Sequence, residues 1–309
     1  MKDVIIVGSG PAGLTAAIYT RRAGLSTLVI EKAPMSGGQI INTHEVDNYP
    51  GLPGINGFDM GMKFREHAES MGAEFAEGEV IELRSLSDKK EIVTEDKVYE
   101  ARAVIIAAGA VHAKLGADGE EKFVGKGVSY CAVCDGAFYR GRTTAVIGGG
   151  DAALEDALFL SKICEKVYLI HRRDKLRGAE IEQKKIFSMP NIEIIWDTQV
   201  QEIRGSEQVE ELLLVNKLTG AESVLKVEGV FVAVGMRPVS ECFSSIIRTD
   251  KNGYIVSDEN CSTNIEGIFA AGDIRTKRLR QVVTAVADGA NAAAGVREYL
   301  LGNTKTHEN

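Results

Sequence analysis

Val4-Ile5-Ile6-Val7-Gly8-Ser9-Gly10-Pro11-Ala12-Gly13 decides the fold, because the chain repeats its plan at Thr144-Ala145-Val146-Ile147-Gly148-Gly149-Gly150-Asp151-Ala152-Ala153. Each copy opens on a short run rich in β-branched residues, passes through glycines and enters a helical stretch, Leu14 to Ala23 or Leu154 to Ile163. A second strand follows, Ser26 to Ile30 or Lys166 to Ile170. Strand, glycine turn, helix and strand make the opening of a βαβ unit. Two such openings predict an α/β protein with two Rossmann-like dinucleotide-binding domains, each a three-layer ββα sandwich. Further strand-like runs at Ala103 to Ala107, Val230 to Val234 and Gly267 to Ala271 lead into Gly109, Gly235 and Gly272, and such exits suit the approach of a cofactor. Crossovers at His112 to Glu120 and Val239 to Ser245 predict a middle domain, 118–243, inserted between 1–117 and 244–309.

In a GxGxxG turn the first glycine permits the tight bend and the second lets backbone approach a pyrophosphate. The third allows close packing of strand and helix, whose positive N-terminus faces the phosphates. Gly8, Gly10 and Gly13 fill the three places, with Ser9, Pro11 and Ala12 between them. Twenty-three places after Gly8 stands Glu31, followed by Lys32. A carboxylate there accepts from both ribose hydroxyls and repels a 2′-phosphate. In the second copy Gly148, Gly150 and Ala153 take the glycine places, with Asp151 and Ala152 between. The residue 23 places on is His171, followed by Arg172, Arg173 and Arg177. Guanidinium forks bind phosphate oxygens bidentately, so this edge favours NADP over NAD. An acid-edged and an arginine-edged site in one chain point to FAD and NADPH.

The composition is that of a soluble globular protein: 309 residues, 44% hydrophobic and 26% charged. Thirty-six basic against 44 acidic residues leave a net charge of −8, which repels a phosphate backbone and argues against nucleic acid. Five cysteines are too few for a disulfide scaffold and an odd number leaves a free thiol, which indicates a reducing compartment, the cytoplasm. The apolar start is broken by glycines and proline, a poor signal peptide. No run of about 18 apolar residues occurs to span a membrane.

Cys131-Ala132-Val133-Cys134-Asp135 holds the one CxxC of the chain. That spacing brings two sulfurs within disulfide reach and commonly lowers the pKa of one thiol. A structural zinc would need two more ligands, and Cys164, Cys242 and Cys261 are isolated, so a redox pair is the better reading. Asp135 can relay the proton that thiol–disulfide exchange moves, or else cap the helix that follows.

Taken together these residues resemble the low-molecular-weight thioredoxin reductases nearly end to end. The shared motifs are Gly8 to Gly13, Gly37-Gly38-Gln39, Asn48-Tyr49-Pro50-Gly51, Cys131 to Asp135, Gly148 to Ala153, His171 to Arg173 with Arg177, and Ala270-Ala271-Gly272-Asp273 through Arg280-Gln281. The resemblance implies FAD in the first domain, with Glu31 on the adenosine ribose, Gln39 and Asn48 near the flavin, Asp273 on the ribityl chain, and Arg280, Gln281 and Val282 beside the ring. It implies that Cys134 faces the flavin and that Cys131 attacks a thioredoxin disulfide. It also implies a homodimer through the FAD domain. Ala152, where relatives often carry Ser or Thr, removes a hydroxyl near the NADPH pyrophosphate.

The expected activity is therefore thioredoxin-disulfide reduction, with electrons passing from NADPH to FAD, to the cysteine pair, and to thioredoxin. Fourteen residues separate Cys134 from Gly148, so disulfide and nicotinamide ride on one domain while the flavin belongs to the other. This predicts rotation of the middle domain between half-reactions. Relatives that use oxygen or ferredoxin lack the arginine edge, and a non-catalytic NADP sensor would bind without turnover. Cys164, Cys242, Cys261, Met60, Met62 and Met71 read as packing residues, and Trp196 as a core or interface anchor. His44, just before the Asn48 segment, reads as a loop histidine with an ordinary hydrogen bond rather than a flavin neighbour, His67, His112 and His307 carry no motif, and Asn303 to Asn309 should fray. Ser85 to Tyr99 and Gly205 to Val227 read as surface strands and turns.

Overall fold

The computed structural model describes residues 1–43, 46 and 48–304, the last two by their backbone alone. His44 and His307 lie outside the described residues. The chain divides into two compact units, Met1–Val111 with Arg237–Asn309, and His112–Met236. The changeovers, at 111–112 and 236–237, fall before the domain boundaries expected at 118 and 243.

The first unit is built on a parallel sheet in the order Glu74–Glu77, Thr27–Glu31, Lys2–Val7, Val98–Ile106, Ile268–Ala270. Lys90–Thr94 and Val80–Ser85 extend it antiparallel from the first half of Val98–Ile106. Successive strand residues point to opposite faces, and both faces are covered, which is why these strands are apolar throughout. Val4, Ile6, Val29, Ala103 and Ile105 pack with Leu14 and Ala17 of the helix Pro11–Arg22 and with Ala292 and Val296 of the helix Val282–Thr304. Ile5, Val7, Ile30, Val104 and Ile106 pack with Leu83, Ile92, Phe243 and Ile247. Ile92 is fully buried, so the Ser85 to Tyr99 stretch, expected on the surface, has an inner face. Alternation puts Lys90, Ile92 and Thr94 inward and Glu91 and Val93 outward.

The second unit repeats the order of the first four strands, Ile192–Ile195, Lys166–Ile170, Thr143–Gly148, Gly229–Ala233, and adds at the edge Val128–Ser129, which precedes them in the chain, all parallel. Val146, Val167, Leu169 and Phe231 face Leu154, Ala157 and Leu158 of the helix Asp151–Ser161, whose leucines at i and i+4 form one stripe. Ala145, Ile147, Ile170, Val230 and Val232 face Val200, Ile203, Leu212 and Leu214 of an antiparallel sheet, Thr198–Arg204, Glu211–Asn216 and Glu222–Lys226. Helix, parallel sheet and antiparallel sheet are the expected three layers. Gly205 to Val227 is therefore a core layer as well as a surface, and burying each Leu or Phe contributes about 1.5–3 kcal/mol.

In both sheets the glycine turn follows the central strand where the order reverses, the crevice in which open α/β sheets bind ligands. Cys164 and Cys261 are buried, Met60 is fully buried, and Trp196 packs partly buried against the helix-side core. Among the described residues no helix is long and apolar enough to cross a membrane. Asn303 and Thr304, expected to fray, are the last residues of the C-terminal helix, and residues 305–309 lie outside the description.

Candidate cofactor clefts and redox centre

In the first unit a cleft of about 450 Å³ opens at the switch point, within the range of ligand sites. Its walls include Gly8, Gly10, Pro11 and Ala12, Glu31 and Lys32, Gly38 and Gln39, Gly109, Asp273, and Arg280 to Val282. Of the residues expected here, Ser9, Gly13 and Asn48 do not line it. Gly13 acts behind it, since a Cβ there would stand 1.9 Å from the Gly8 carbonyl oxygen. Gly8 has φ +101° and no room for a Cβ beside Ala107, so only glycine makes this bend. Ser9 binds Glu31: its N–H and its hydroxyl donate to Oε2 at 2.7 and 2.8 Å, and the Ala33 N–H donates to Oε1 at 3.0 Å. A carboxylate accepts about four bonds, so Glu31 keeps capacity for a ribose hydroxyl while it ties the loop to the strand end. Asn48 donates to Gln281 Oε1 at 3.0 Å, and Gln39 donates to the Ala110 carbonyl.

Two residues that line this cleft each hold a buried atom without a partner, Asp273 Oδ1 and Arg280 Nε. Burial pushes the Asp273 carboxyl above its usual range, against the pull of Lys277 and Arg280. An orphaned buried donor or acceptor costs about 1–3 kcal/mol, and a polyhydroxyl, phosphorylated ligand would satisfy both. Together with Glu31 they fit FAD. At Gly10 a Cβ would find its nearest protein atom 4.0 Å away, the space a pyrophosphate would use. Gly10→Val is therefore expected to fold normally by circular dichroism yet weaken FAD binding by about 10-fold or more through sterics. Unchanged affinity in a fluorescence titration would contradict this assignment.

In the second unit a cleft of about 270 Å³ is lined by Gly148, Gly149, His171, Arg172 and Arg177, with Lys114 and Gln199. Arg172, Arg173 and Arg177 are exposed, and Arg173 stands outside the lining. The N-terminus of the helix Asp151–Ser161 opens onto free space at Gly150, while Ala153 is fully buried behind Gly148 and Ala152 is exposed. Asp151 Oδ1 accepts from the Ala179 N–H at 2.7 Å, and the Arg177 N–H donates to the Gly149 carbonyl at 2.6 Å, binding the glycine loop to the basic loop. His171 is buried and its Nε2 lies 3.0 Å from the Lys175 carbonyl. Its ring also packs edge-on to Trp196 and fills the space a Cβ on Gly149 would take. Burial, with the Arg177 and Arg173 charges adding, pushes its pKa below the usual value, so it is neutral at pH 7. His171 therefore shapes the arginine loop without adding charge to it.

Cys131 and Cys134 form a disulfide with Cα atoms 5.3 Å apart. Cys131 is the N-cap of the short helix Ala132–Asp135, and its sulfur accepts from the Cys134 N–H at 3.2 Å. Such a donor, at a helix N-terminus, stabilises a thiolate on Cys131 once the pair is reduced. Both cysteines are half-buried. Asp135 precedes the 3-10 segment Gly136–Tyr139 but makes no side-chain capping bond to it. Next to the pair, the Tyr130 hydroxyl donates to the buried Glu120 at 2.7 Å, which raises the Tyr130 pKa after burial has done so first.

Sequence reading missed Gly78, Glu79 and Val80, which line the first cleft because parallel pairing sets Glu77 beside Glu31. It also missed Val239, Cys242 and Phe243, which line it after the second changeover. Cys242, expected to be core, is half-buried on that wall, and burial pushes its thiol up. Lys114 and Gln199 in the second cleft carry no motif. Nothing local marks any of these residues.

The family model for pyridine nucleotide-disulphide oxidoreductases matches residues 2–289. The chain is 49% identical over 299 residues to a thioredoxin reductase of Listeria innocua, covering 96% of this chain and 93% of that protein. A thioredoxin reductase of Bacillus subtilis is 48% identical over 299 residues, covering 96% of this chain and 94% of that protein. The crystal structure of Lactococcus lactis thioredoxin reductase in its FR conformation superposes with a TM-score of 0.87 at 45% identity, covering 98% of this chain and all of that one. Thioredoxin reductases of this family contain FAD and use NADPH. With a cleft at each glycine turn, a bonded CxxC pair and these relatives in agreement, the chain belongs to the pyridine nucleotide-disulphide oxidoreductase family.

Proposed function

We propose that this enzyme reduces the disulfide of thioredoxin with electrons from NADPH. The observation that carries the reading is the half-buried Cys131–Cys134 disulfide on the unit whose cleft is edged by arginines. FAD in the first cleft and NADPH in the second supply the hydride and two-electron chemistry. In the reduced pair, the Cys131 thiolate attacks one sulfur of the partner disulfide, and the other sulfur departs as a thiolate and takes up a proton. Cys134 then attacks Cys131 Sγ in the mixed disulfide, closing the Cys131–Cys134 bond and releasing the second partner thiol. Two electrons and two protons thus reach the partner. The Cys134 N–H on Cys131 Sγ supports Cys131 as the attacking thiol, and Asp135, one residue beyond Cys134, is suited to carry the proton.

Arg172 and Arg177 on the cleft wall hold the 2′-phosphate of NADPH, with Arg173 beside them, and Glu31 holds the ribose of FAD. The inserted unit carries both the disulfide and the NADPH cleft, and it rotates about the changeovers near 111–112 and 236–237 so that the two serve in turn. The family resemblance supports a homodimer and a cytoplasmic setting.

Anaerobic titration tests the reading. The yellow protein should bleach with two equivalents of NADPH, one for the disulfide and one for the flavin, and recover its colour on adding oxidised thioredoxin. Bleaching without recovery would exclude thioredoxin as the partner, and NADPH binding without bleaching would leave a sensor. A cross-link that freezes the inserted unit should permit one half-reaction and abolish turnover, and full turnover in the locked protein would refute rotation.

A further inference from the structure

We infer that Asp288 is a positioning residue for the cofactor of the first cleft, holding the Gly272-Asp273 turn in place through a buried charge cluster. The inference rests on the reading that this cleft takes FAD. Asp288 lies within the C-terminal helix Val282–Thr304 and is 5% exposed. Its Oδ2 accepts from the Gly272 N–H at 3.0 Å, from Arg275 Nε at 2.9 Å and from Lys277 Nζ at 2.8 Å, and its Oδ1 accepts from Arg275 Nη2 at 3.0 Å. Arg275 is 9% exposed and the Lys277 side chain 8%, so the two cations and one anion are together out of water. Such a cluster is an expensive way to stabilise a core, and apolar residues of similar volume commonly do as well. What it does add is geometry.

The Gly272 N–H is the first donor of the turn whose next residue, Asp273, lines the cleft and keeps a buried Oδ1 without a partner. The turn is wedged tightly. A Cβ on Gly272 would lie 2.9 Å from the Ala12 Cβ, and one on Gly289, next to Asp288, would lie 2.2 Å from the Ala12 carbonyl oxygen. The C-terminal helix thus grips the glycine loop through Gly289 and the Asp273 turn through Asp288, at adjacent residues. Losing the Asp288 carboxylate frees the Gly272 N–H and leaves Arg275 and Lys277 without their shared anion. The turn then has no fixed position from which Asp273 can meet a ligand hydroxyl. The positive side chains of Lys277 and Arg280 near Asp273 favour its charged form against burial.

The full-length protein, stripped of FAD and titrated back, tests this. Asp288→Ala should fold by circular dichroism and weaken FAD binding by about 100-fold, as expected for loss of a buried charged acceptor. Asp288→Asn keeps an oxygen for the Gly272 N–H and should recover about 10-fold of that loss, with a bound-flavin absorbance spectrum closer to wild type. Asn291→Ala, exposed on the same helix, should leave affinity unchanged. If Asp288→Ala proves unfolded, Asp288→Asn alone decides, and its affinity should then fall about 10-fold. Wild-type affinity and spectrum in Asp288→Ala, or in Asp288→Asn where that one decides, would overturn the inference while the FAD reading stands. Wild-type protein that binds no FAD would sink both.

Discussion

Serine at Cys131 is expected to lower NADPH-driven thioredoxin reduction by about 10³-fold or more, because a hydroxyl near neutral pH is not the anionic nucleophile that thiol–disulfide exchange requires. The loss should fall on turnover and leave NADPH affinity intact, since Gly148, Arg172 and Arg177 belong to a separate cleft of that unit. Serine at Cys134 should behave differently. Cys131 can still attack the partner, but nothing resolves the mixed disulfide, so a covalent complex with thioredoxin should accumulate and appear as a mass equal to the sum of the two chains. Non-reducing electrophoresis and intact-mass measurement separate the two outcomes. If the trapped complex formed through Cys134 in the Cys131→Ser protein instead, the assignment of the attacking thiol from its helix N-cap position and the Cys134 N–H would be reversed. Retained turnover in either variant would remove the pair from the reaction.

Replacing both Arg172 and Arg177 by alanine should raise KM for NADPH by about 10²-fold or more. Each charge-assisted bond to a phosphate contributes about 1.5–3 kcal/mol, or about 10-fold to 100-fold in affinity. NADH, which lacks the 2′-phosphate, should be used almost as well as by the wild type, so the preference between the two collapses. High salt should reproduce part of the effect in the wild type, because the arginines are exposed and screened. Equal losses with NADPH and NADH would show that the substitutions damaged the loop. His171 makes that control informative: its buried ring holds the turn through Lys175, so the loop should survive without the two guanidinium groups.

The repeat at Val4 and Thr144 was legible because its determinants are local. A glycine that makes a bend and a strand that alternates its side chains act over a handful of residues, whatever the rest of the chain does. The acid at Glu31 and the bases from Arg172 were legible for a related reason: a βα unit places the end of its second strand beside its glycine turn at a nearly constant spacing. Ser9 bonding Glu31, and Arg177 bonding Gly149, are those spacings realised. Ile92, Leu212 and Leu214 were misread as surface because a hairpin with one polar face looks alike in sequence whether its other face meets water or a second sheet.

Read alone, the amino-acid order determined two nucleotide-binding βα units, the sign of charge at the edge of each, and a cysteine pair spaced for a disulfide. The tertiary structure alone decided that Asp273 and Arg280, on the wall of a cleft, each keep a buried atom without a partner, that His171 is withdrawn from the solvent, that Cys242 stands on the cleft wall, and that Asp288 binds the turn before Asp273. The physical reason is burial. Whether a polar group is satisfied, neutral or charged depends on which distant strands and helices exclude water around it, and spacing along the chain does not encode that.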